Sequence, residues 1–165
     1  MAYAVVNNRP RQPAFGANGH VSSSARAVAS WPEPCTSVSS VALISTEATE
    51  LVIGCAFRVH RALGPGLFES VYQPCLAHEM TRAALRFAEQ VLVPVTYDGL
   101  VIPPAFRADF IVENELVVEL KHVEQVLPVH CSQVLTYLRL TGLKKGLLIN
   151  FNVPVLKQGL KSFVM

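Results

Sequence analysis

The sequence lacks several features that would assign it to a common structural class. Its four cysteines, Cys35, Cys55, Cys75 and Cys131, contain no CxxC pair. Their spacing argues against a zinc site or a disulfide framework and predicts reduced, mostly buried thiols. The longest apolar runs are too short to cross a bilayer, and no charged segment followed by an apolar one marks a secretory signal. We therefore predict a cytoplasmic protein without a membrane partner.

Two frequent catalytic signatures are missing as well. Gly64-Pro65-Gly66 is not followed by the lysine and the serine or threonine that a phosphate-binding loop requires. No motif for a nucleophilic serine or cysteine is evident. The sequence therefore gives no support for a P-loop enzyme or for a hydrolase that uses a covalent intermediate.

Acidic residues are absent after Glu124, and this makes the C-terminal third locally basic. Five basic residues follow it: Arg139, Lys144, Lys145, Lys157 and Lys161. The four lysines are candidate contacts for nucleic acid, because clustered positive charge favours a polyanionic partner. Solvated lysines around a helix and a strand explain the same pattern equally well.

The composition predicts one folded domain behind an N-terminal extension. The chain has 165 residues, of which 51% are hydrophobic and 16% are charged, as in a globular protein. Residues 1–46 are rich in Ser, Ala, Pro, Asn and Gly without sustained periodicity, which predicts a disordered or weakly ordered extension. Residues 47–165 are the predicted domain.

Hydrophobic periodicity and turn residues predict the elements of this domain. Pro94 within the first strand indicates an edge position or a bulge, and Pro103-Pro104 predicts a break in the chain. Asp98-Gly99 is a strong turn signal. The expected class is α/β, a small mixed sheet with a central hairpin flanked by helices. Its predicted elements are helices at Thr46–Leu63, Leu67–Ala84 and Val129–Thr141, strands at Phe87–Tyr97, Leu100–Ile102, Ala108–Val112, Leu116–Leu120 and Gly146–Phe151, and a last short helix or helix plus strand at Val155–Phe163.

The central hairpin, Arg107 to Lys121, carries an unusual set of charges. If its turn centres on Asn114, Asp109 lies across from Glu119, and period-two alternation puts Glu119 and Lys121 on one face. The opposite face would be entirely apolar, formed by Ala108, Phe110, Val112, Leu116, Val118 and Leu120. Two acids and a lysine on a strand pair that is otherwise core material are costly unless a cation or a partner sits there.

Asp109 and Glu119 offer oxygen ligands for one Mg²⁺ or Mn²⁺, and a main-chain carbonyl near Leu120 could add another. Lys121 on the same face could stabilise an attacking hydroxide or the charge on an attacked phosphate. Glu69, on the second predicted helix, could complete the metal shell. The alternative is a cross-strand salt-bridge cluster at a sheet edge.

A polar pair on the third predicted helix could support this site. Gln133 and Tyr137 lie one turn apart and could orient Lys121 or a nucleic-acid backbone. The alternative is a satisfied polar pair at a seam between helix and sheet. The histidines His60, His122 and His130 are predicted to be structural or solvent-facing, because they form no metal-ligand spacing with the cysteines.

Several motifs together resemble the GxxExxY proteins, a small family in the PD-(D/E)XK nuclease-like superfamily. The resemblance covers about residues 47–164. The motifs are Gly66, Glu69 and Tyr72 in G-x-x-E-x-x-Y, then RADF, VVELK, PVH-x-x-Q-x-x-x-Y-L and KKGLLINFNVP. The family and superfamily patterns are complete at these positions, but Cys131 stands where an acidic residue is expected and His122 where alanine is usual.

The resemblance implies a nuclease-like fold with a divalent-metal site. Glu69, Asp109 and Glu119 would be the metal ligands, and Lys121, Gln133 and Tyr137 would complete the catalytic set. The implied function is Mg²⁺- or Mn²⁺-dependent phosphodiester hydrolysis of DNA or RNA. Two alternatives remain open: a non-catalytic nucleic-acid-binding or protein-interaction module that keeps the fold, and a metal site that only stabilises structure.

Overall fold

The computed structural model describes residues 47–165 of the chain. The predicted extension, residues 1–46, lies outside the described residues. The described part contains helices α1 (Glu47–Leu63), α2 (Glu69–Arg82) and α3 (Pro128–Thr141), strands β1 (Phe87–Tyr97), β2 (Leu100–Val112), β3 (Leu116–Lys121), β4 (Lys145–Asn150) and β5 (Leu160–Val164), and a 3-10 helix at Leu156–Gly159.

The helix boundaries follow from local chemistry. Glu47 and Glu50 lie in the first turn of α1, where carboxylates stabilise the positive end of the helix dipole. Pro128 opens α3, because a first-turn proline has no intrahelical hydrogen bond to lose. Gly142 ends α3 in the left-handed conformation with φ 74°. The sequence predicted all of these boundaries to within two residues.

The five strands form one mixed sheet in the order β1-β2-β3-β4-β5. The β2–β3 hairpin is antiparallel, β3 and β4 are parallel, and the outer pairs β1–β2 and β4–β5 are antiparallel. This confirms the predicted class, a mixed α/β sheet with a central hairpin flanked by helices. Because β3 lies in the middle, both of its faces are covered, and Leu116–Leu120 is buried throughout.

Two hydrophobic clusters lie on opposite faces of the sheet. The larger cluster joins α1 and α2 to the sheet through residues such as Val52, Tyr72, Leu76, Phe110 and Ile149. The smaller cluster, Val93, Ala108, Val117, Tyr137 and Leu138, packs α3 against the other face. A Cβ at Gly146 of β4 would approach Val134 Cγ1 to 2.6 Å, so this glycine lets α3 lie close to the sheet.

The expected break at Pro103-Pro104 is wrong, because β2 runs through both prolines. Val93 pairs with Phe106, whereas Val95 pairs with Ile102, so three residues of β2 face one residue of β1. Proline fits there because this irregular stretch needs no ladder hydrogen bond from it. Pro94 lies at the same irregularity on edge strand β1, as its residue type predicted.

The assignment of Ala108 to the same face as Phe110 is also wrong. Ala108 packs with Val117 against α3, whereas Phe110 packs against α1 and α2. Strands β1 and β2 stay in register on either side of Asp109, but both exchange faces there. Gln90, in β1, has φ 51°, outside the strand region, and this local turn of the backbone accounts for the exchange.

Three of the four cysteines lie in the described part. Cys55, Cys75 and Cys131 form no disulfide there, and Cys55 and Cys131 are buried. Among residues 47–165, no helix is long and apolar enough to cross a membrane.

Candidate active site

The candidate site begins where the β2–β3 ladder ends. Phe110 and Val118 form the last paired position of the hairpin on that side. One step further, the Asp109 carboxylate accepts the hydrogen bond of the Leu120 amide at 2.8 Å. A side chain thus replaces the backbone carbonyl that a continuing ladder would supply. The two strands separate here, and the acid is held in the gap with only 8% of its surface exposed.

Glu119 and Lys121 lie beside this gap on the α3 side of β3. Lys121 Nζ donates to Glu119 Oε1 at 2.5 Å and to the Leu120 carbonyl at 2.9 Å. The Glu119 side chain is 3% exposed and that of Lys121 is 13% exposed. The structure therefore brings together Asp109, Glu119 and Lys121, the three hairpin residues that the sequence analysis selected.

Glu119 has more acidic neighbours than its one lysine can balance. Burial, then the charge of Asp109, raises the pKa of Glu119 to about 7, although Lys121 acts in the opposite direction. Its second oxygen, Oε2, is buried and has no hydrogen-bond partner. An unpartnered carboxylate oxygen in the interior is costly, which makes it a natural position for a cation.

Glu69 approaches the hairpin from the first residue of α2. Burial raises the pKa of Glu69, while Lys121 lowers it and Asp109 raises it, so these charges are close enough to interact. The approach depends on the preceding turn. Gly66 there has φ 97°, and the Tyr72 hydroxyl donates to the Gly64 carbonyl at 2.6 Å. Gly66 and Tyr72 of the G-x-x-E-x-x-Y motif thus position its glutamate.

The three predicted metal ligands are not equivalent. Within residues 47–165, no three Asp, Glu, His or Cys side chains are grouped closely enough to hold a metal ion. Asp109 and Glu119 both belong to the hairpin, whereas Glu69 approaches it from α2, and the charges of all three interact. Mg²⁺ is usually bound by one or two carboxylates, with water and substrate phosphate filling the remaining positions. Asp109 and Glu119, with the unpartnered Oε2, therefore fit a Mg²⁺ or Mn²⁺ ion without a third carboxylate.

Sequence reasoning missed two glutamines that hold Asp109. Gln90 Nε2 donates to Asp109 Oδ1 at 3.2 Å and to Gln73 Oε1 at 2.9 Å. This connects α2, β1 and β2 through amide groups. The available signals were a polar residue inside an apolar strand and the spacing of Gln73 four residues after Glu69, which places both on one helix face.

Gln133 and Tyr137 form the predicted pair on α3. Gln133 Nε2 donates to the Tyr137 hydroxyl at 2.8 Å, and this hydroxyl donates to the Arg107 carbonyl at 3.0 Å. Tyr137 is 1% exposed. Burial raises the pKa of Tyr137, with smaller contributions in the same direction from Glu119 and Asp109. The pair therefore fixes the β2 backbone at Arg107, two residues before Asp109.

The three histidines have structural contacts. His60 bonds through Nε2 to the Val153 carbonyl at 2.8 Å. His130 Nδ1 accepts from the Leu127 amide at 3.1 Å and caps α3. Burial lowers the pKa of His130, and the positive charge of Lys121 adds to this. His122 lies against Tyr72 and Phe68.

The four candidate nucleic-acid lysines do not gather at the acidic residues. Lys145 pairs with Glu115 at 3.5 Å, at the start of β4. Lys121 is aligned with Asn150, the last residue of that strand, roughly 16 Å further along. Exposed Lys144 precedes β4, and exposed Lys157 lies in the 3-10 helix. Lys161 is aligned through Leu148 with Glu119, two strands away on the same face.

This fold and site define a class. A mixed sheet whose hairpin carries an aspartate on one strand and E-x-K on the next, between helices that supply Glu69 and Gln133, is a nuclease-like α/β domain. A family model described as the PD-(D/E)XK nuclease superfamily matches residues 46–163. The chain belongs to this superfamily. No curated protein and no solved structure matches it.

Proposed function

We propose that this protein is a Mg²⁺- or Mn²⁺-dependent nuclease that hydrolyses phosphodiester bonds of DNA or RNA, within the GxxExxY branch of the superfamily. The observation that carries the proposal is the convergence of Asp109, Glu119 and Lys121, with Glu119 Oε2 buried and unpartnered. The G-x-x-E-x-x-Y motif supports the branch, because each of its three residues contributes to placing Glu69 beside this cluster.

Asp109 and Glu119 would hold the metal ion, and the Leu120 carbonyl and Glu69 could supply further oxygens. When bound, the ion would supply the positive charge that stabilises the phosphate under attack. Burial and, after it, repulsion from Asp109 raise the pKa of Glu119, and a bound cation would offset both. The ionised form of both acids is therefore the binding form.

Lys121 would contribute the second positive charge. Its ammonium group is held by Glu119 and by the Leu120 carbonyl. It would stabilise the attacking hydroxide or the charge that develops on the phosphate. Its side chain keeps 13% of its surface exposed, on which a substrate phosphate would approach it.

Other residues would bind the nucleic acid or hold the site in position. Lys161 is aligned with Glu119 across the sheet, whereas Lys145 lies at the opposite end of β4 and, with Lys144, would meet only a longer substrate. Lys157, in the 3-10 helix before β5, would add a further contact. Gln133 and Tyr137 would keep the β2 backbone in place.

The test is metal-dependent cleavage by the full chain. Labelled single-stranded and double-stranded DNA and RNA would be incubated with Mg²⁺ or Mn²⁺ and with EDTA. We expect cleavage only with metal, and its loss in Asp109→Asn and Lys121→Ala. Glu89→Ala removes an exposed acid of β1 outside the site and should cleave like the wild type. Equal cleavage by all variants would overturn the proposal.

The second candidate is a non-catalytic nucleic-acid-binding or protein-interaction module. One observation favours it: residues 47–165 carry equal numbers of acidic and basic residues, unlike a strong non-specific DNA binder. It predicts salt-dependent binding through the four lysines that survives Asp109→Asn, without cleavage. Calorimetric titration with Mg²⁺ followed by the cleavage assay separates these two from a structural metal site, which would bind the ion and raise the melting temperature without turnover.

A further inference from the structure

An aromatic column rises from the core and ends in solvent beside the candidate active site. At its base, the rings of Phe151 and Tyr72 stack with centroids 4.5 Å apart and an interplanar angle of 8°. His122 lies 6.5 Å from the Tyr72 ring, and Phe68 lies 6.2 Å from His122 in an edge arrangement. Phe68 is 76% exposed. We call the outer pair, Phe68 and His122, the aromatic shelf.

The shelf is formed by the chain neighbours of two residues of the candidate site. Phe68 immediately precedes Glu69, and His122 immediately follows Lys121. Burial raises the pKa of Glu69, whereas the charges of Lys121 and His122 act in the opposite direction, so both side chains lie near that carboxylate. A ligand on the shelf would therefore lie next to a phosphate held at Asp109, Glu119 and Lys121.

The shelf is supported from below. The Tyr72 hydroxyl donates to the Gly64 carbonyl and accepts from the Leu67 amide at 3.2 Å, which fixes the turn that leads into Phe68. Phe68 itself has extended backbone angles, φ −68° and ψ 151°, at the start of α2. An exposed phenyl ring on a fixed backbone loses little further freedom when it binds a flat ligand.

We propose that the aromatic shelf binds an unpaired base, so that the substrate is single-stranded or locally unpaired nucleic acid. Every base offers a π-face to an aromatic side chain, and such stacking serves single strands without sequence preference. A paired base inside a duplex has both faces covered by its neighbours. The inference rests on the proposed nuclease function, whose site supplies the adjacent phosphate position.

The first test measures binding rather than cleavage. The probe is a short single-stranded oligonucleotide that contains 2-aminopurine, a base whose fluorescence falls when it stacks. It is titrated with the full-length protein in EDTA. A second titration uses the full-length Asp109→Asn variant in Mg²⁺. We expect proteins with the unaltered aromatic shelf to quench the fluorescence of 2-aminopurine. Phe68→Ala should weaken binding about 5- to 150-fold, the range for one lost base stack. Phe68→Trp should retain it.

Two matched controls separate stacking from general apolar contact and from folding. Phe68→Leu keeps apolar surface without an aromatic face and should behave like Phe68→Ala. Tyr97→Ala removes an aromatic ring that is 73% exposed at the β1–β2 turn and should bind like the wild type. His122→Ala should weaken binding by less than Phe68→Ala, because His122 is half-buried beneath it.

A base-deletion cycle decides the matter. A set of oligonucleotides, each with one abasic nucleotide at a different position, should include one that loses affinity for the wild type but not for Phe68→Ala. If Phe68→Ala weakens binding equally with every oligonucleotide, or if duplex binds as tightly as single strand, the shelf does not bind a base. Base-dependent binding without cleavage would support base binding at the aromatic shelf and overturn the proposed nuclease function. Cleavage together with unchanged binding by Phe68→Ala would support the nuclease function and overturn base binding at the shelf.

Discussion

Asp109 Oδ2 accepts the Leu120 amide at 2.8 Å, at the point where the β2–β3 ladder stops. The same carboxylate therefore carries a structural bond and the predicted metal contact. Asp109→Ala leaves the buried Leu120 amide without an acceptor, and we expect a loss of about 1–3 kcal/mol in unfolding free energy. Asp109→Asn keeps an oxygen for that bond and should lose less than half as much.

Both Asp109 variants should nevertheless be inactive in the cleavage assay, because neither retains the negative charge that a cation needs. Urea unfolding and cleavage measured on the same preparations check this. Equal destabilisation by the two variants would show that the Leu120 bond does not account for the structural effect.

Metal affinity should depend on pH through Glu119. The pKa of this group is raised to about 7, and its ionised form is the ligand. Below pH 7, each unit of acidification should weaken Mg²⁺ binding about tenfold, and above pH 7 the dependence should flatten. Calorimetry in buffers of different ionisation enthalpy should also detect proton release on binding near pH 6. Affinity unchanged between pH 6 and pH 8 would contradict the assignment.

The metal-free protein should show the opposite trend in stability. Because the pKa of Glu119 rises from 4.5 to about 7 on folding, the folded state binds a proton more tightly than the unfolded chain. This contribution is complete below pH 4.5 and is lost as the pH rises through 7. Glu119→Gln removes the titration, so its stability relative to the wild type should increase between pH 4.5 and pH 7. Chemical denaturation in EDTA across that range measures the difference.

Gln90 should be a positioning residue for Asp109. Gln90→Leu keeps most of the side-chain volume but removes the donor to Asp109 and to Gln73. Loss of a hydrogen bond to a metal ligand typically costs about 10- to 100-fold in metal affinity or activity. We expect a fall in Mg²⁺ affinity of about this size. Gln158→Leu makes the same chemical change at an exposed position and should have no effect.

Tyr137→Phe should destabilise the seam between α3 and the sheet. The substitution removes the hydroxyl that donates to the Arg107 carbonyl and accepts from Gln133. Unpaired buried groups cost about 1–3 kcal/mol, so unfolding should occur at lower denaturant concentration. Tyr97→Phe removes an exposed hydroxyl and serves as the control. A wild-type unfolding midpoint for Tyr137→Phe would show that the hydroxyl does not support the seam.

Regular patterns made much of the fold predictable. Proline and glycine bracketed α3, the Asp98-Gly99 turn separated β1 from β2, and the Glu113-Asn114-Glu115 turn fixed the hairpin register that pairs Val112 with Leu116. Because alternation is strict in β3, the common face of Glu119 and Lys121 followed as well.

The features of the fold and the site that the sequence did not predict depend on long-range contacts, which a sequence pattern does not encode. The left-handed Gln90 exchanges the faces of β1 and β2, so Ala108 could not be placed by counting along the strand. The prolines of β2 pass through a bulge that is defined only by the pairing of β2 with β1. The distance of Lys145 from the site follows from the parallel alignment of β3 and β4, which local composition does not reveal.

The exchange of faces at Asp109 has a consequence for folding. Residues before it in β2 are packed by α3, and residues after it are packed by α1 and α2. The carboxylate is therefore oriented only in molecules in which both helical layers have closed on the sheet. A nascent or partly unfolded chain that has completed one layer would carry every acidic residue of the site and still be unable to assemble it.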